Sequence, residues 1–272
     1  MINKMGAMPP KIDVRDYQYM PAGVTAEDFP AEFALWTPEV KNQGVINSCV
    51  AHVAAQIEEY FNHKERGKYD KLSVGYVYGC RYSYKGEGMY LRDALKTLKD
   101  KGICTYNEFP YNKEVPEIIN LYNKQSNWTT DTQNKISTYF SIGTKDSNKI
   151  KHSLMNCGPI MISVPWYSDY KVENGKIISP SNFNSDYGHH AILLYGWNRD
   201  GWLIQNSWGS AWGNKGKATY PYNYPIAEAW GITDDINNIK NIYIKKQTPV
   251  TNVCSKMTNA LLNIVKKCRH KK

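Results

Sequence analysis

The segment NQGVINSCVAHVAAQIEEYFNH, residues 42–63, decides how the rest of this chain is read. Its first third is a polar loop that turns at Gly44. From there Val50, Val53, Ala54, Ile57, Tyr60 and Phe61 recur at helical spacing and predict a helix from about Cys49 to His63. Asn47 and Ser48 are the candidate N-caps. Cys49 therefore falls at a helix N-terminus, where unpaired N–H groups and the helix dipole favour a thiolate. A cysteine at a helix start is usually only packed, so the surroundings matter. Gln43 precedes Cys49 by six positions, and the turn at Gly44 can bring its amide back beside the sulfur. That amide and the Cys49 backbone N–H would make a two-donor oxyanion hole.

Two segments far along the chain complete the pattern. His190 opens the strand-like run HAILLYGW, and Asn206 opens NSWG directly after the run WLIQ. The turn residues Asn198 to Gly201 lie between, so two adjacent strands would set Asn206 beside His190. A base within reach of a thiol converts the pair to thiolate and imidazolium, and the Asn206 carbonyl would fix the ring's tautomer.

Around these segments the texture changes along the chain. Residues 1–40 are irregular and dotted with Pro9, Pro10, Pro21, Pro30 and Pro38. Leu91, Ala94, Leu95 and Leu98 predict a second helix ending near Gly102, and residues 147–156 a third, stopped by Gly158. From Pro159 onward MISVPW, HAILLYGW, WLIQNSW and KATYPY read as strands. Helices first and strands afterwards give an α+β arrangement of two lobes, with the seam between them the expected place for a site. Residues 255–268 carry the pattern of an amphipathic helix through Leu261, Leu262, Ile264 and Val265.

Taken together, QGVINSCVAH, HAILLYGW and NSWGSAWGNKG resemble, in order and in long spacing, the nucleophile, histidine and asparagine segments of papain-like cysteine peptidases. LSVGYVYGC, the stretch from Gly88 to Leu95 and GICTYNEFPY fall where that family has similar text, and the likeness covers roughly residues 10–235. The resemblance implies a helical left lobe (about 40–125) and an antiparallel, β-barrel-like right lobe (about 126–235). Within it Gln43, Cys49, His190 and Asn206 take the oxyanion, nucleophile, base and orienting roles. It also implies that Trp208 shields the His190–Asn206 bond, and that Gly88 and Met89 lie on the strand that pairs with the substrate backbone. The reaction implied is peptide-bond hydrolysis without a metal or organic cofactor, on a peptide or protein substrate.

This sequence departs from the family's pattern in three places. Asn47-Ser48-Cys49-Val50-Ala51-His52 stands where the family often has Gly-Ser-Cys-Trp-Ala-Phe. His189 stands where Asp or Asn is usual, and its imidazole would depress the His190 pKa by like-charge repulsion. His52, one helical turn from Cys49, is either a rival base or a partly buried histidine on the helix face, the latter favoured. Finally, residues 1–29 resemble the short lead-in of bacterial members rather than a domain-sized propeptide. Either this lead-in or the basic tail is expected to cover the cleft.

Composition bounds the remainder. With 42% hydrophobic and 22% charged residues the chain is globular, and no apolar run approaches the ~20 residues of a membrane span. The N-terminus has no signal-peptide core, which favours the cytoplasm, or a secreted or surface-associated protein if a leader has been removed. Nine of the 34 Lys and Arg follow Asp235, where no acidic residue occurs, so residues 1–235 carry 25 basic and 25 acidic groups. The basic extension 236–272 is either a solvated tail or a contact for an anionic partner or surface, with nucleic acid the less favoured. Cys80, Cys104, Cys157, Cys254 and Cys268 read as thiols rather than a disulfide framework, and no cluster has structural zinc spacing. Two other classes compete: a catalytically idle peptide-binding module, and a protein that binds anionic surfaces through residues 236–272.

Overall fold

The computed structural model describes residues 5–11, 13–21, 23–81, 86–111, 134–178 and 186–233, and the backbone of residues 244–246. The expected helix at 255–268, Cys254, Cys268 and most of the basic extension lie outside the described residues.

Helix α1 (Cys49–Arg66) is the axis of the molecule, and its residues from Cys49 to Asn62 are buried. It runs three residues beyond the expected end and stops at Gly67, which takes the left-handed conformation (φ 70°) that a side chain resists. Ser48 occupies the N-cap position without capping, because its hydroxyl bonds the Tyr111 hydroxyl at 2.6 Å instead. A helix buried on every side must satisfy its polar residues internally. Glu59 does so with Lys41 Nζ (2.6 Å) and the Leu72 N–H (2.8 Å), and Asn62 with Asn134 (3.0 Å).

Helices α2 (Val74–Gly79) and α3 (Leu91–Asp100) pack on α1 in the helical lobe. The six-residue α2, inside LSVGYVYGC, escapes a periodicity reading because it is too short to show a repeat. Its start is set by Ser73, whose hydroxyl accepts the Tyr76 N–H. Helix α4 (Ser147–Cys157) is capped by the Asp146 carboxylate, which accepts the Asn148 and Lys149 N–H groups, and it ends at Gly158 as its sequence predicts.

The strands are β1 (Tyr17–Tyr19), β2 (Phe33–Ala34), β3 (Thr138–Ile142), β4 (Ile160–Tyr167), β5 (Lys171–Glu173), β6 (Lys176–Ile178), β7 (Tyr187–Asn198), β8 (Gly201–Gln205), β9 (Lys217–Pro221), β10 (Glu228–Thr233) and β11 (Ile244–Lys246). They form one sheet in the order β11-β1-β3-β10-β4-β7-β8-β9-β6-β5, with β2 added beside β7. Most neighbours are antiparallel, but β1/β3 and β6/β9 are parallel, so the sheet is mixed rather than wholly antiparallel. β4, buried along its whole length, is the strand that MISVPW predicts.

Two apolar cores result. One lies between α1, α2, α3 and the face of the sheet carrying Met161, Ala191 and Leu193. The other lies within the stranded lobe, where α4 covers Phe140, Ile162, Ile192, Leu194 and Trp197. Residues before 40 are less irregular than their prolines suggest. β1 and β2 are built into the stranded lobe's sheet, and β11 of the basic extension pairs with β1.

Candidate active site

The seam between α1 and β7 brings Gln43, Cys49, His190 and Asn206 together, all four with 0% exposure. Cys49 is the first residue of α1, and its sulfur receives the Ala191 N–H at 3.4 Å. His190 and Asn206 are joined through the β7–β8 hairpin, whose register sets Leu193 opposite Gln205. His190 Nε2 donates to Asn206 Oδ1 at 2.7 Å, and the Ser207 N–H donates to the same oxygen at 2.7 Å. Nε2 therefore carries a proton, which leaves Nδ1 of the neutral ring as an acceptor without another partner.

The loop holding Gln43 is fastened to the segment after β8. The Gln43 N–H donates to the Ser207 carbonyl (2.8 Å) and the Gly209 N–H to the Lys41 carbonyl (3.0 Å). The Ser207 hydroxyl donates to Gln43 Oε1 at 2.7 Å, and Gln43 Nε2 donates to the Ile46 carbonyl at 2.9 Å. The Tyr111 hydroxyl donates to the Gln43 carbonyl at 2.9 Å and ties this loop to Ser48. Each end of the Gln43 amide is thus assigned by its partners.

Trp208 stacks on the His190 ring with centroids 4.5 Å apart and planes 24° apart. Trp166, at the end of β4, meets the same ring edge-on at 5.4 Å and Trp208 at 5.0 Å. The sequence reading passed over Trp166, Ser207 and Tyr111. Ser207 lay inside the quoted NSWG motif, whereas nothing local marks Trp166 or Tyr111.

Both neighbouring histidines take plainer places than the sequence suggested. His52 is wholly rather than partly buried, and its Nδ1 lies 3.0 Å from the Ser48 carbonyl and 3.3 Å from the Ser48 hydroxyl. Burial pushes it down to about 3, so it is a neutral structural ring rather than a second base. His189 alternates away from His190 along β7 and packs beside Tyr187. The His190 pKa is depressed by burial, not by His189.

The cleft is occupied by residues 6–8 of the chain itself. Residues 6–8 lie parallel to the edge at Gly88 and Met89, with the Met89 N–H donating to the Gly6 carbonyl (2.8 Å) and the Met8 N–H to the Met89 carbonyl (3.0 Å). From the opposite wall the His189 carbonyl accepts the Ala7 N–H at 3.1 Å. Gly6 is pressed against the Asn47 carbonyl so closely that a Cβ would collide with it. Gly88 has φ +90° and faces the Gly6 carbonyl, leaving no room for a side chain. The Met89 side chain points into the helical core, so it offers its backbone alone. Under this cover desolvation dominates, holding the Cys49 thiol up at about 11 and His190 down at about 4. The pair is neutral while covered.

Among the described residues no group of His, Cys, Asp or Glu has the arrangement of a metal site, and no helix is long and apolar enough to cross a membrane. Cys80, Cys104 and Cys157 are buried.

Residues 30–234 match the model of the papain family cysteine proteases. The chain is 28% identical to mouse (Mus musculus) cathepsin K over 236 residues, which is 84% of this chain and 64% of cathepsin K, a little under two thirds of that relative's length. It is 27% identical to macrodontain-1 of Ananas macrodontes over 214 residues, 77% of this chain and 87% of the plant protein. The fold is similar to that of xylellain, a cysteine protease from Xylella fastidiosa, with a TM-score of 0.72 at 24% identity, covering 86% of this chain and 97% of xylellain.

Proposed function

The chain belongs to the papain family of cysteine proteases, and from that premise we propose that it hydrolyses peptide bonds with Cys49 as nucleophile, His190 as acid and base, Asn206 as the residue orienting His190 and Gln43 in the oxyanion hole. The observation that carries this reading is the 2.7 Å bond from His190 Nε2 to Asn206 Oδ1 beside a cysteine at a helix N-terminus. With the Nε2 proton committed to Asn206, Nδ1 is the atom that takes the thiol proton.

The thiolate then attacks the scissile carbonyl carbon, and the carbonyl oxygen becomes an oxyanion received by Gln43 Nε2 and the Cys49 N–H. His190 returns its proton to the leaving amine as the C–N bond breaks, leaving an acyl thioester. A water, deprotonated by His190, attacks the thioester and restores the thiol. Trp208 and Trp166 keep water from the His190–Asn206 bond, which strengthens it. The Gly88–Met89 edge and the His189 carbonyl, which here pair with residues 6–8, are where we place the substrate backbone. Catalysis in this scheme requires the lead-in to leave.

The test is hydrolysis of a mixed peptide library by the full chain and by Gly6→Val, whose side chain collides with Asn47. Turnover that rises in Gly6→Val and vanishes when Cys49→Ala is added supports the proposal. No turnover in either uncovered or full chain would replace it with the peptide-binding module.

A further inference from the structure

We propose that Tyr111 is a positioning residue of the oxyanion hole, its single hydroxyl setting the Gln43 loop against the start of α1; the inference rests on the peptidase reading above.

The two donors assigned to the oxyanion come from different pieces of chain. Gln43 Nε2 belongs to the loop before α1, and the Cys49 N–H belongs to the first residue of that helix. Such a pair stabilises charge only while both donors point at one place. The loop's own closure is weak: the Ile46 N–H reaches the Gln43 carbonyl at 3.4 Å, whereas the Tyr111 hydroxyl donates to that carbonyl at 2.9 Å. The same phenol oxygen lies 2.6 Å from Ser48 Oγ, on the residue whose carbonyl carbon is bonded to the Cys49 nitrogen.

Tyr111 has one hydroxyl proton and the Gln43 carbonyl can only accept it, so the phenol oxygen accepts the proton of the Ser48 hydroxyl. The Ile46 carbonyl, also near that hydroxyl, is 3.5 Å away. Ser48 stands at the N-cap of α1, yet it makes no cap bond, and its backbone (φ −111°, ψ 18°) is outside the extended region that capping serines adopt. A hydroxyl withheld from the helix and given to a residue 63 positions away is not what α1 alone would select. On the other side of Ser48, His52 Nδ1 donates to its carbonyl at 3.0 Å, and the His52 ring meets the Tyr111 ring edge-on at 4.9 Å.

Tyr111 is itself anchored outside the loop it holds. Two residues before it, the Phe109 carbonyl accepts the hydroxyl of Ser73, the N-cap of α2, at 2.5 Å. The Phe109 ring lies so close over Gly75 that a Cβ there would collide with it. The phenol therefore reaches Gln43 and Ser48 from the start of α2. Burial raises its pKa further above the ordinary value, so the donor keeps its proton through neutral pH. Ser207 and Tyr111 divide the work on Gln43: the Ser207 hydroxyl orients the side-chain amide, and Tyr111 holds the backbone that carries it.

The experiment compares Gly6→Val with the same chain carrying Tyr111→Phe, Ser48→Ala or both. It reads kcat and KM on the best-cleaved peptide of the library, and the rate at which iodoacetamide alkylates Cys49, by intact mass. That alkylation displaces iodide without forming an oxyanion, so it reports the thiolate apart from the oxyanion hole. Tyr111→Phe keeps the ring and removes both hydroxyl bonds, so kcat is expected to fall about 10- to 100-fold with KM and the alkylation rate unchanged. Ser48→Ala removes one of those bonds from the other side and should lower kcat about ten-fold, which keeps the test open should Tyr111→Phe fail to fold. Added to Tyr111→Phe it should change little, since the two share that bond. Unaltered kcat in both variants would overturn the proposal. So would alkylation slowed as much as kcat, which places the effect on the thiolate, or a raised KM at constant kcat, which places Tyr111 in the cleft wall. No turnover by Gly6→Val itself would sink the peptidase reading, and the role of Tyr111 with it; that reference tells the two failures apart.

Discussion

His190 and Asn206, 16 residues apart, are held with Nε2 and Oδ1 2.7 Å from each other in a fully buried hydrogen bond roofed by Trp208. The bond assigns the ring's tautomer, and the aromatic roof keeps water from competing for either partner.

Replacing Asn206 by Ala should therefore reduce kcat roughly 10²-fold with little change in KM, since the base is left free to rotate while the substrate edge is untouched. Steady-state kinetics on an uncovered background such as Gly6→Val provides the check. A fall in affinity with kcat preserved would show that Asn206 serves the cleft wall instead.

The Ser207 hydroxyl donates to Gln43 Oε1 and so decides which end of that amide faces the proposed oxyanion site. Gln43→Ala is expected to lower kcat by about 10²–10³. Ser207→Ala, which removes a single neutral bond, should cost about ten-fold. Equal losses in the two variants would mean that Ser207 has a contribution of its own.

Covering the site has a price at acid pH. His190 is held at about 4 and His52 at about 3, against an ordinary value near 6.5 in the unfolded chain. Below pH 6.5 the unfolded chain takes up protons that the fold refuses, so stability falls as pH drops from 6.5 toward 4. His190 alone contributes roughly 3 kcal/mol of that loss. Thermal unfolding between pH 7 and pH 4 should show the decline, and His52→Gln should flatten it by about half. A flat profile in the wild type would mean that both rings are solvated.

Lys41 and Glu59 form an ion pair of 2.6 Å under the loop that carries Gln43, with side chains 7% and 0% exposed. Lys41→Met strands the Glu59 carboxylate in the core and should destabilise the chain by about 3–5 kcal/mol. Adding Glu59→Leu should recover much of that loss. A double-mutant cycle in urea tests the pair, and additive effects would deny the coupling.

The stretch 42–63 and the two strand runs made much of this legible in advance. The α1 start came from apolar spacing. The β7–β8 hairpin came from turn residues between two apolar runs, and the grouping of Gln43, Cys49, His190 and Asn206 came from residue type and order. What escaped has physical reasons. Helix α2 has under two turns, too few for a period. Ser48 reads as a cap but finds Tyr111 instead, and Tyr111 lies 63 residues away. His189 looked like a neighbour of His190, yet adjacent residues on a strand point to opposite faces.

By itself, then, the sequence determined which residues can do chemistry and which local elements carry them, because periodicity, turn chemistry and side-chain pKa are properties of short stretches. Only the tertiary structure decided the rest. It put Ser207 on Gln43 across 164 positions and laid Trp166 against His190. It also drew residues 6–8 in between Met89 and the His189 carbonyl. These are long-range contacts, fixed by how two lobes and an eleven-stranded sheet pack, and no local pattern encodes them.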